Sequence, residues 1–194
     1  MADPGVLRCW PTNDPLYIAY HDEEWGRPVR DDVRLLERLC LEGFQSGLSW
    51  ITILRKRPRF REVFCGFEPA AVAAFGEPDV QRLLGDAGII RHRGKIEATI
   101  ANARATVALQ AGGESLTELL WSFAPRVVAP APASLSRTPS STAESKALAR
   151  ELKRRGFRFV GPTTAYALMQ ATGIVNDHVA GCVVREAVEV ERRL

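Results

Sequence analysis

The chain has 194 residues, a net charge of +3 and a hydrophobic content of 46%. This length suits one domain or two small lobes, and the apolar fraction is enough for a sizeable core. The modest positive charge permits nucleic-acid binding without arguing for it. The sequence has no run of 18 apolar residues, so a membrane-spanning helix is not expected.

The N-terminus lacks the charged and then apolar pattern of a secretory signal. We therefore expect a cytoplasmic protein without membrane association, whose thiols are kept reduced. The four cysteines are then not expected to form a disulfide framework. Cys40 and Cys65 lie in apolar helical contexts and are interpreted as small buried hydrophobic residues.

Helical patterns run along nearly the whole chain and predict an all-α fold. Asp14-Pro15 is typical of an N-cap followed by proline at the first helical position. Asp31 or Asp32 caps a second helix, whose apolar residues recur at three- and four-residue spacings. Further helices are predicted at about 48–54, 69–74, 78–84, 93–110 and 116–123.

Residues 125–142 are rich in Pro, Ala, Ser and Thr and predict an extended loop. Ser141 and Glu144 fit a capping box that starts a helix ending at Gly156. A tight glycine hairpin is predicted next, at Val160-Gly161-Pro162. Because Gly161 has no Cβ, backbone N–H groups there can approach a phosphate closely.

Positive charge is clustered at 55–57, 91–95 and 153–155. Each cluster suits either a solvated face or a contact with phosphate, and the sequence leaves both open. His92, between two arginines, is expected to be exposed or near phosphate rather than a metal ligand. The highly charged tail from about 185 is expected to fray or to lie on the surface.

Two pairs of metal-ligand residues lie at opposite ends of the chain: Cys9 with His21, and His178 with Cys182. A four-residue spacing places His178 and Cys182 on one face if they lie on a helix. Two thiolates and two imidazoles would complete a tetrahedral Zn²⁺ shell with no open position, which suits a structural site. The alternative, a tail thiol and a hydrogen-bonded core histidine, stays open on spacing alone.

Aromatic and acidic residues concentrate in segments 17–26 and 41–50. Glu42 in the second segment is a lone carboxylate among apolar neighbours, with Trp50 eight residues on. Aromatic faces plus a carboxylate suit a flat, electron-poor or cationic ligand, with roughly 0.5–2 kcal/mol for each well-placed ring. Ordinary core packing of Trp25 and Trp50 is the alternative.

Four blocks carry a family resemblance: DPLYIAYHDEEWG (14–26), LEGFQSGLSWI (41–51), DAGIIRHRGKI (86–96) and the segment 156–182. Over about residues 8–184 the chain resembles the DNA-3-methyladenine glycosylase I family of the helix-hairpin-helix superfamily. The resemblance implies a two-lobed helical enzyme, expected to be a single domain and a monomer. It also implies DNA in the cleft between the lobes, and excision of 3-methyladenine from alkylated double-stranded DNA.

The resemblance also implies roles for individual residues. It makes Cys9, His21, His178 and Cys182 ligands of a structural zinc ion. It implies that Glu42 hydrogen-bonds the lesion base in an aromatic pocket formed by Trp50, Tyr20, Trp10 and Tyr17. The implied DNA contacts are Phe159, Val160, Gly161, Pro162 and Thr163 in the hairpin. Gln45 and Leu48 are assigned the wedge, because Phe44 stands where a polar residue is expected.

Most glycosylases of this superfamily place an aspartate shortly after the hairpin helix. Here the corresponding residue is Asn176, followed by Asp177. We therefore assign lesion recognition and electrostatic stabilisation to Glu42. A non-catalytic damage-binding module on the same scaffold is the alternative, which the neutral Asn176 favours. A zinc-dependent hydrolase is disfavoured, because two cysteines and two histidines leave no position for water.

Overall fold

The computed structural model describes residues 5–127 and 129–193, and this part of the chain contains α-helices but no strands. The all-α prediction is therefore confirmed for these residues. The helices are α1 (Pro15–Glu23), α2 (Asp32–Gln45), α3 (Trp50–Val63), α4 (Pro69–Ala73), α5 (Glu77–Leu84), α6 (Arg93–Ala111), α7 (Leu116–Trp121), α8 (Ala143–Arg154), α9 (Pro162–Ala171) and α10 (Arg185–Arg193). None of these helices combines the length and the apolar content needed to cross a bilayer.

Side-chain caps fix where several helices begin. Asp14 caps α1 by accepting from the Leu16 amide at 2.9 Å. Of the two candidates for α2, Asp31 is the cap and accepts from the Arg34 amide at 2.9 Å. The capping box predicted at Ser141 and Glu144 is wrong by one residue. Thr142 and Ser145 form it, because these hydroxyls can make the same reciprocal bonds.

Helix α2 lies at the centre of the molecule and packs against α3, α6, α7 and α9. Leu35, Leu36 and Leu41 are fully buried on it. Helix α3 runs through Pro58 to Val63, well beyond the predicted end at about 54, because its later residues also reach the core. The ring of Phe60 on α3 packs at a tilt of 53° against that of Phe44 on α2, with ring centroids 4.6 Å apart.

One of the two cysteines predicted to be buried is exposed. Cys40 is buried in α2, as predicted. Cys65 lies in a short 3₁₀ turn after α3 and has a positive φ of 51°. The turn leaves its side chain in solvent, so the prediction of a buried Cys65 is wrong.

The charged tail from about 185 forms α10, rather than a frayed or merely superficial segment. Val188 on this helix is fully buried, next to Gly26. Arg192 donates to the carbonyls of Gly173 at 2.6 Å and Ile174 at 2.9 Å. The charges hold the helix in place because they cap backbone groups that would otherwise be unpaired.

Most of the clustered positive charges are paired within the protein. Arg57 is buried and donates to Glu37 at 2.6 Å and Glu24 at 2.8 Å. Arg93 pairs with Glu77 at 2.9 Å, and Arg155 pairs with Glu151 at 2.6 Å. These clusters therefore contribute less free charge to the surface than their sequence suggests. His92 is exposed, as predicted, and caps α6.

Candidate functional site

An aromatic cavity of about 290 Å³ lies where α1, α2 and α9 meet the start of α3. It brings together every residue that the resemblance assigns to the base pocket. The lining residues are Trp10, Tyr17, Tyr20, Trp25, Glu42, Gln45, Trp50, Leu135, Thr138, Ala167 and Gln170. Its volume is at the lower end of small-molecule sites, which span about 300–1,000 Å³. We refer to it below as the aromatic cavity.

Two indole N–H groups in this cavity have no partner. Nε1 of Trp10 and Nε1 of Trp50 are buried without a hydrogen bond. A buried donor without a partner costs about 1–3 kcal/mol, and the folded chain carries this cost in the walls of the cavity. A larger groove of about 550 Å³ between α5, α6 and the α8–α9 turn differs in this respect. Its Arg104 already donates to the carbonyls of Ala73 and Phe75.

Glu42 is the titratable group of the cavity. It lies in the last turn of α2 and is only 6% exposed. Burial raises the pKa of its carboxyl to about 8, and Arg38, one helical turn earlier, opposes this rise. Arg38 is itself buried, and its Nη1 has no partner. Near neutral pH Glu42 is therefore mostly protonated when alone, and a cation in the cavity would favour its ionised form.

The aromatic rings form two walls. The Trp10 and Tyr17 ring centroids are 5.0 Å apart, and those of Tyr20 and Trp50 are 5.2 Å apart. Tyr17 and Tyr20 join the two pairs at 6.4 Å. Desolvation raises the pKa of Tyr20, so its hydroxyl stays neutral. A flat ring between these walls would contact π faces and the Glu42 carboxyl together.

The four predicted metal ligands meet directly behind the aromatic cavity. Their donor atoms all lie within 4.8 Å of one another. Nδ1 of His178 lies 3.2 Å from the Cys9 sulfur and 3.4 Å from the Cys182 sulfur. Nε2 of His21 lies 3.5 Å from the Cys182 sulfur. The cluster joins the N-terminal segment to the C-terminal one, as the sequence predicts.

The second nitrogen of each histidine is held from outside the cluster. Nδ1 of His21 lies 2.6 Å from Oδ1 of Asp22. Arg8 donates to the other oxygen of this carboxylate, Oδ2, at 2.7 Å. Nε2 of His178 lies 3.0 Å from the Trp25 carbonyl. Such partners fix the tautomer and turn the other ring nitrogens inward, where Nε2 of His21 accepts from the Cys9 amide at 3.2 Å. This donor set and its outer partners fit a tetrahedral Zn²⁺ site.

His178 and Cys182 are brought together by a turn and not by a helix, so the predicted helical face is wrong. The Cys182 amide donates to the Val179 carbonyl at 3.0 Å, and Gly181 has a positive φ of 79°. The tight turn gives the same proximity that a helical turn would. Behind it, Trp10 meets the His21 ring edge-on with centroids 4.8 Å apart, which couples the cluster to the cavity wall.

The hairpin between α8 and α9 spans residues 155–161. Gly161 is the N-cap of α9 with an ordinary φ of −71°. The left-handed residues are instead Gly156 (φ 91°) and Phe159 (φ 56°), and Phe159 is 40% exposed. The Val160 side chain is buried, so only its backbone can face DNA. No side chain caps the amides at the start of α9, where Pro162 and Thr163 are exposed.

Asn102 on α6 holds this hairpin, and the sequence analysis missed it. Its Oδ1 accepts from the Arg158 amide at 2.7 Å, and its Nδ2 donates to the Arg158 carbonyl at 3.3 Å. Asn102 is buried, so these bonds replace backbone pairing for a strained loop. The available signal in the sequence was a single asparagine within an alanine-rich helix, which indicates a polar side chain with a specific partner.

The residues assigned to the wedge lie at the end of α2 and in the loop that follows it. Leu48 is 43% exposed at its tip, and Gln45 lines the aromatic cavity. Phe44 is fully buried in the core, so it cannot act as a wedge. The ammonium group of Lys95 donates to the carbonyls of Phe44 at 2.7 Å and Ser46 at 2.6 Å. This buried lysine fixes the end of α2.

Neither polar residue after the hairpin helix lines the cavity. Asn176 donates to Glu189 at 3.1 Å and to the Arg185 carbonyl at 3.2 Å. Asp177 accepts from the Tyr166 hydroxyl at 2.6 Å and from Nε2 of Gln170 at 2.8 Å. Gln170 itself lines the cavity and carried no signal in the sequence, because its role depends on a contact seven residues away.

Comparison with known proteins places the chain in a family. A model of the methyladenine glycosylase family matches residues 10–186. The chain is 55% identical over 179 residues to DNA-3-methyladenine glycosylase 1 of Escherichia coli (strain K12), covering 90% of this chain and 95% of that protein.

Solved structures agree with this assignment. A crystal structure of 3-methyladenine DNA glycosylase I matches with a TM-score of 0.88 and 54% identity, covering 91% of this chain and 98% of the other. The Staphylococcus aureus enzyme, studied for its recognition of 3-methyladenine, matches with a TM-score of 0.84 and 35% identity over 90% and 93% of the two chains. The chain therefore belongs to the methyladenine glycosylase family.

Proposed function

We propose that the chain is a DNA glycosylase that hydrolyses the N-glycosidic bond of 3-methyladenine in alkylated double-stranded DNA, as part of base excision repair. The observation that carries this proposal is the buried Glu42 carboxyl, which lines a cavity walled by aromatic rings. Membership of the methyladenine glycosylase family supports the same activity.

Binding of the lesion uses charge as well as stacking. A glycosylase extrudes the target nucleotide from the duplex, and unstacking costs a few kcal/mol. Methylation at N3 makes the adenine cationic, so it gains from the aromatic walls and from Glu42. The cation lowers the pKa of the Glu42 carboxyl from its raised value of about 8, so the carboxylate forms as the base enters.

The reaction needs little push from the protein, because the leaving group is already activated. The C1′–N9 bond breaks and its electron pair goes to N9, which releases neutral 3-methyladenine. Water then bonds to C1′ and loses a proton to solvent. Positive charge moves from the base to the sugar, and the Glu42 carboxylate stabilises it in a water-poor site. Asn176 supplies no carboxylate, and its amide is already bonded to Glu189.

We also propose a single glycosylase domain with two helical lobes and DNA in the cleft between them. The uncapped start of α9 and the hairpin at 155–161 would hold a phosphate through backbone N–H groups. The exposed Leu48 would fill the space left by the extruded nucleotide, with Gln45 beside it. The chain would act as a monomer in the cytoplasm.

The metal-ligand cluster would hold a structural zinc ion through Cys9, His21, His178 and Cys182. When bound, the ion supplies crosslinking stability and no reactive position, because four protein ligands fill its shell. The protein side of this site already orients both histidines through Asp22 and the Trp25 carbonyl. The cluster would also hold Trp10 and Trp25 against the cavity.

Base release from alkylated duplex DNA tests the proposal. The wild-type chain is expected to release 3-methyladenine, and Glu42→Ala and Trp50→Ala are each expected to lose most of this release. If both variants release the base at the wild-type rate, the assignment of the cavity is wrong. If the wild-type chain binds alkylated DNA but releases nothing, the damage-binding alternative, which the neutral Asn176 favours, is correct.

A further inference from the structure

Gln170 presents one hydrogen-bonding atom that the protein does not use. It lies near the end of α9 and lines the aromatic cavity together with Glu42 and Trp50. Its Nε2 is 2.8 Å from Oδ2 of Asp177, which also accepts from the Tyr166 hydroxyl at 2.6 Å. A carboxylate only accepts, so the amide nitrogen must face Asp177. Among the described residues, nothing donates to the amide oxygen.

We propose that Gln170 is a specificity-determining residue that offers its amide oxygen to the exocyclic amino group of the extruded adenine lesion. Asp177 is a positioning residue that fixes this orientation of the amide. The inference rests on the proposed function and deepens it. It assigns to Gln170 and Asp177 the discrimination between alkylated adenine and alkylated guanine.

The preference follows from the polarity of the two bases at C6. Adenine carries an amino group there, which is a donor of two hydrogen bonds, whereas guanine carries a carbonyl oxygen, which is an acceptor. Glu42 and the Gln170 oxygen together present two acceptors. A guanine lesion would place its C6 carbonyl oxygen against the Glu42 carboxylate and the Gln170 oxygen. All three acceptors would then lack a hydrogen-bond donor, which costs much free energy in a desolvated site.

The hydrogen bond from Gln170 to Asp177 is needed because the side-chain amide of Gln170 can rotate. A turn of 180° exchanges its oxygen and its NH₂ group with almost no change in shape. A freely rotating Gln170 would therefore accommodate either base. The Asp177 carboxylate is 9% exposed and is held by the Tyr166 hydroxyl, so it binds the NH₂ end and leaves the oxygen for the ligand.

Base selectivity separates this role from a structural one. The variants are Gln170→Met, Asp177→Asn and the double variant, and release of 3-methyladenine and 3-methylguanine is measured from the same alkylated DNA. The matched control is Gln110→Met, because Gln110 also donates to a carboxylate, Asp32 at 2.9 Å, but lies exposed on α6. Binding of the two free bases, followed by tryptophan fluorescence, is the second readout.

We expect Gln170→Met to slow release of 3-methyladenine by about 10- to 100-fold and to change release of 3-methylguanine by only a few-fold. Asp177→Asn should lower the adenine-to-guanine ratio by about 3- to 10-fold, and should add nothing further in the Gln170→Met background. Gln110→Met should keep the wild-type ratio.

Two outcomes overturn the inference. One is a folded Gln170→Met variant whose release and free-base binding ratios both stay within about twofold of the wild type. The other is an Asp177→Asn effect of equal size with and without Gln170, which would show that Asp177 acts elsewhere. A wild-type chain that releases no base overturns the proposed function instead, and the free-base binding ratio then decides the inference by itself.

Discussion

The cluster of predicted metal ligands (Cys9, His21, His178 and Cys182) and the aromatic cavity share a wall, but they differ in how their buried polar atoms are paired. In the cluster, each histidine has an outer partner, Asp22 or the Trp25 carbonyl, and inner neighbours from both ends of the chain. In the cavity, two indole N–H groups have no partner, and the buried Glu42 has a raised pKa. The first region is built for stability, whereas the second keeps a desolvated carboxyl whose ionisation a cationic ligand would favour.

Removal of the metal-ligand cluster should give the largest loss of stability. We expect Cys182→Ser, or chelation of the proposed zinc ion, to lower the melting temperature by roughly 10 °C, which corresponds to about 3–5 kcal/mol. The matched control is Cys65→Ser, because Cys65 is exposed and far from the ligands in sequence. Calorimetry together with metal analysis of the purified protein measures both effects. Wild-type melting of Cys182→Ser in a metal-free protein would refute the zinc site.

Substitution of Glu42 should do the reverse and lower activity without lowering stability. Glu42→Gln is expected to slow release of 3-methyladenine by about 100- to 1,000-fold, because the neutral amide cannot offset the charge that develops on the sugar. The control is Glu23→Gln at an exposed carboxylate of α1. Single-turnover release of the base is the measurement, and a loss of less than tenfold would move the chemistry away from Glu42.

The pH dependence of folding should sharpen the contrast. Glu42 has a raised pKa of about 8 in the folded chain against an ordinary value of 4.5. Between these values the folded chain holds a proton that the unfolded chain releases, so stability falls as pH rises through this window. The expected contribution is on the order of 5 kcal/mol, fully lost above about pH 8. The same pKa predicts that base release rises towards pH 8.

Denaturant unfolding of the wild type and Glu42→Gln across pH 4–9 measures this contribution. The free-energy difference between the two proteins should grow in favour of Glu42→Gln as pH rises. Glu23→Gln again serves as the control. Parallel pH profiles for the wild type and Glu42→Gln would mean that the carboxyl is better solvated than its burial indicates.

The smallest expected effect concerns the hairpin. Asn102→Ala should weaken DNA binding by about tenfold. The backbone amide and carbonyl of Arg158 both lose their hydrogen bonds to the Asn102 side chain, and the hairpin then loses its fixed shape. Binding of free 3-methyladenine should be unchanged, because Asn102 does not line the aromatic cavity. Titration with abasic DNA and with the free base measures the two affinities. Equal losses in both would show that Asn102 supports the whole core.

Much of the fold and of the candidate site was predictable from local patterns. Helical periodicity and capping residues predicted helices at the positions of α1 to α8, but α3 runs to Val63, nine residues beyond its predicted end at about 54. The family resemblance marked Glu42, Trp50 and the four predicted metal ligands, and the structure brings each set together. The helix α10 was missed because its stability comes from one buried valine and from caps on distant carbonyls.

The sequence by itself determined the helical class, the pairs of cysteine and histidine at the two ends of the chain and the carboxylate among aromatic residues. These features depend on residue type and on short spacings along the chain, and both can be seen in the sequence without knowledge of the fold. Only the tertiary structure decided that Asp177 holds Gln170 and not a substrate, that Asn102 supports the hairpin, and that Phe44 lies in the core. Each of these depends on which distant side chain fills the remaining space, and close packing settles that only once the whole chain has folded.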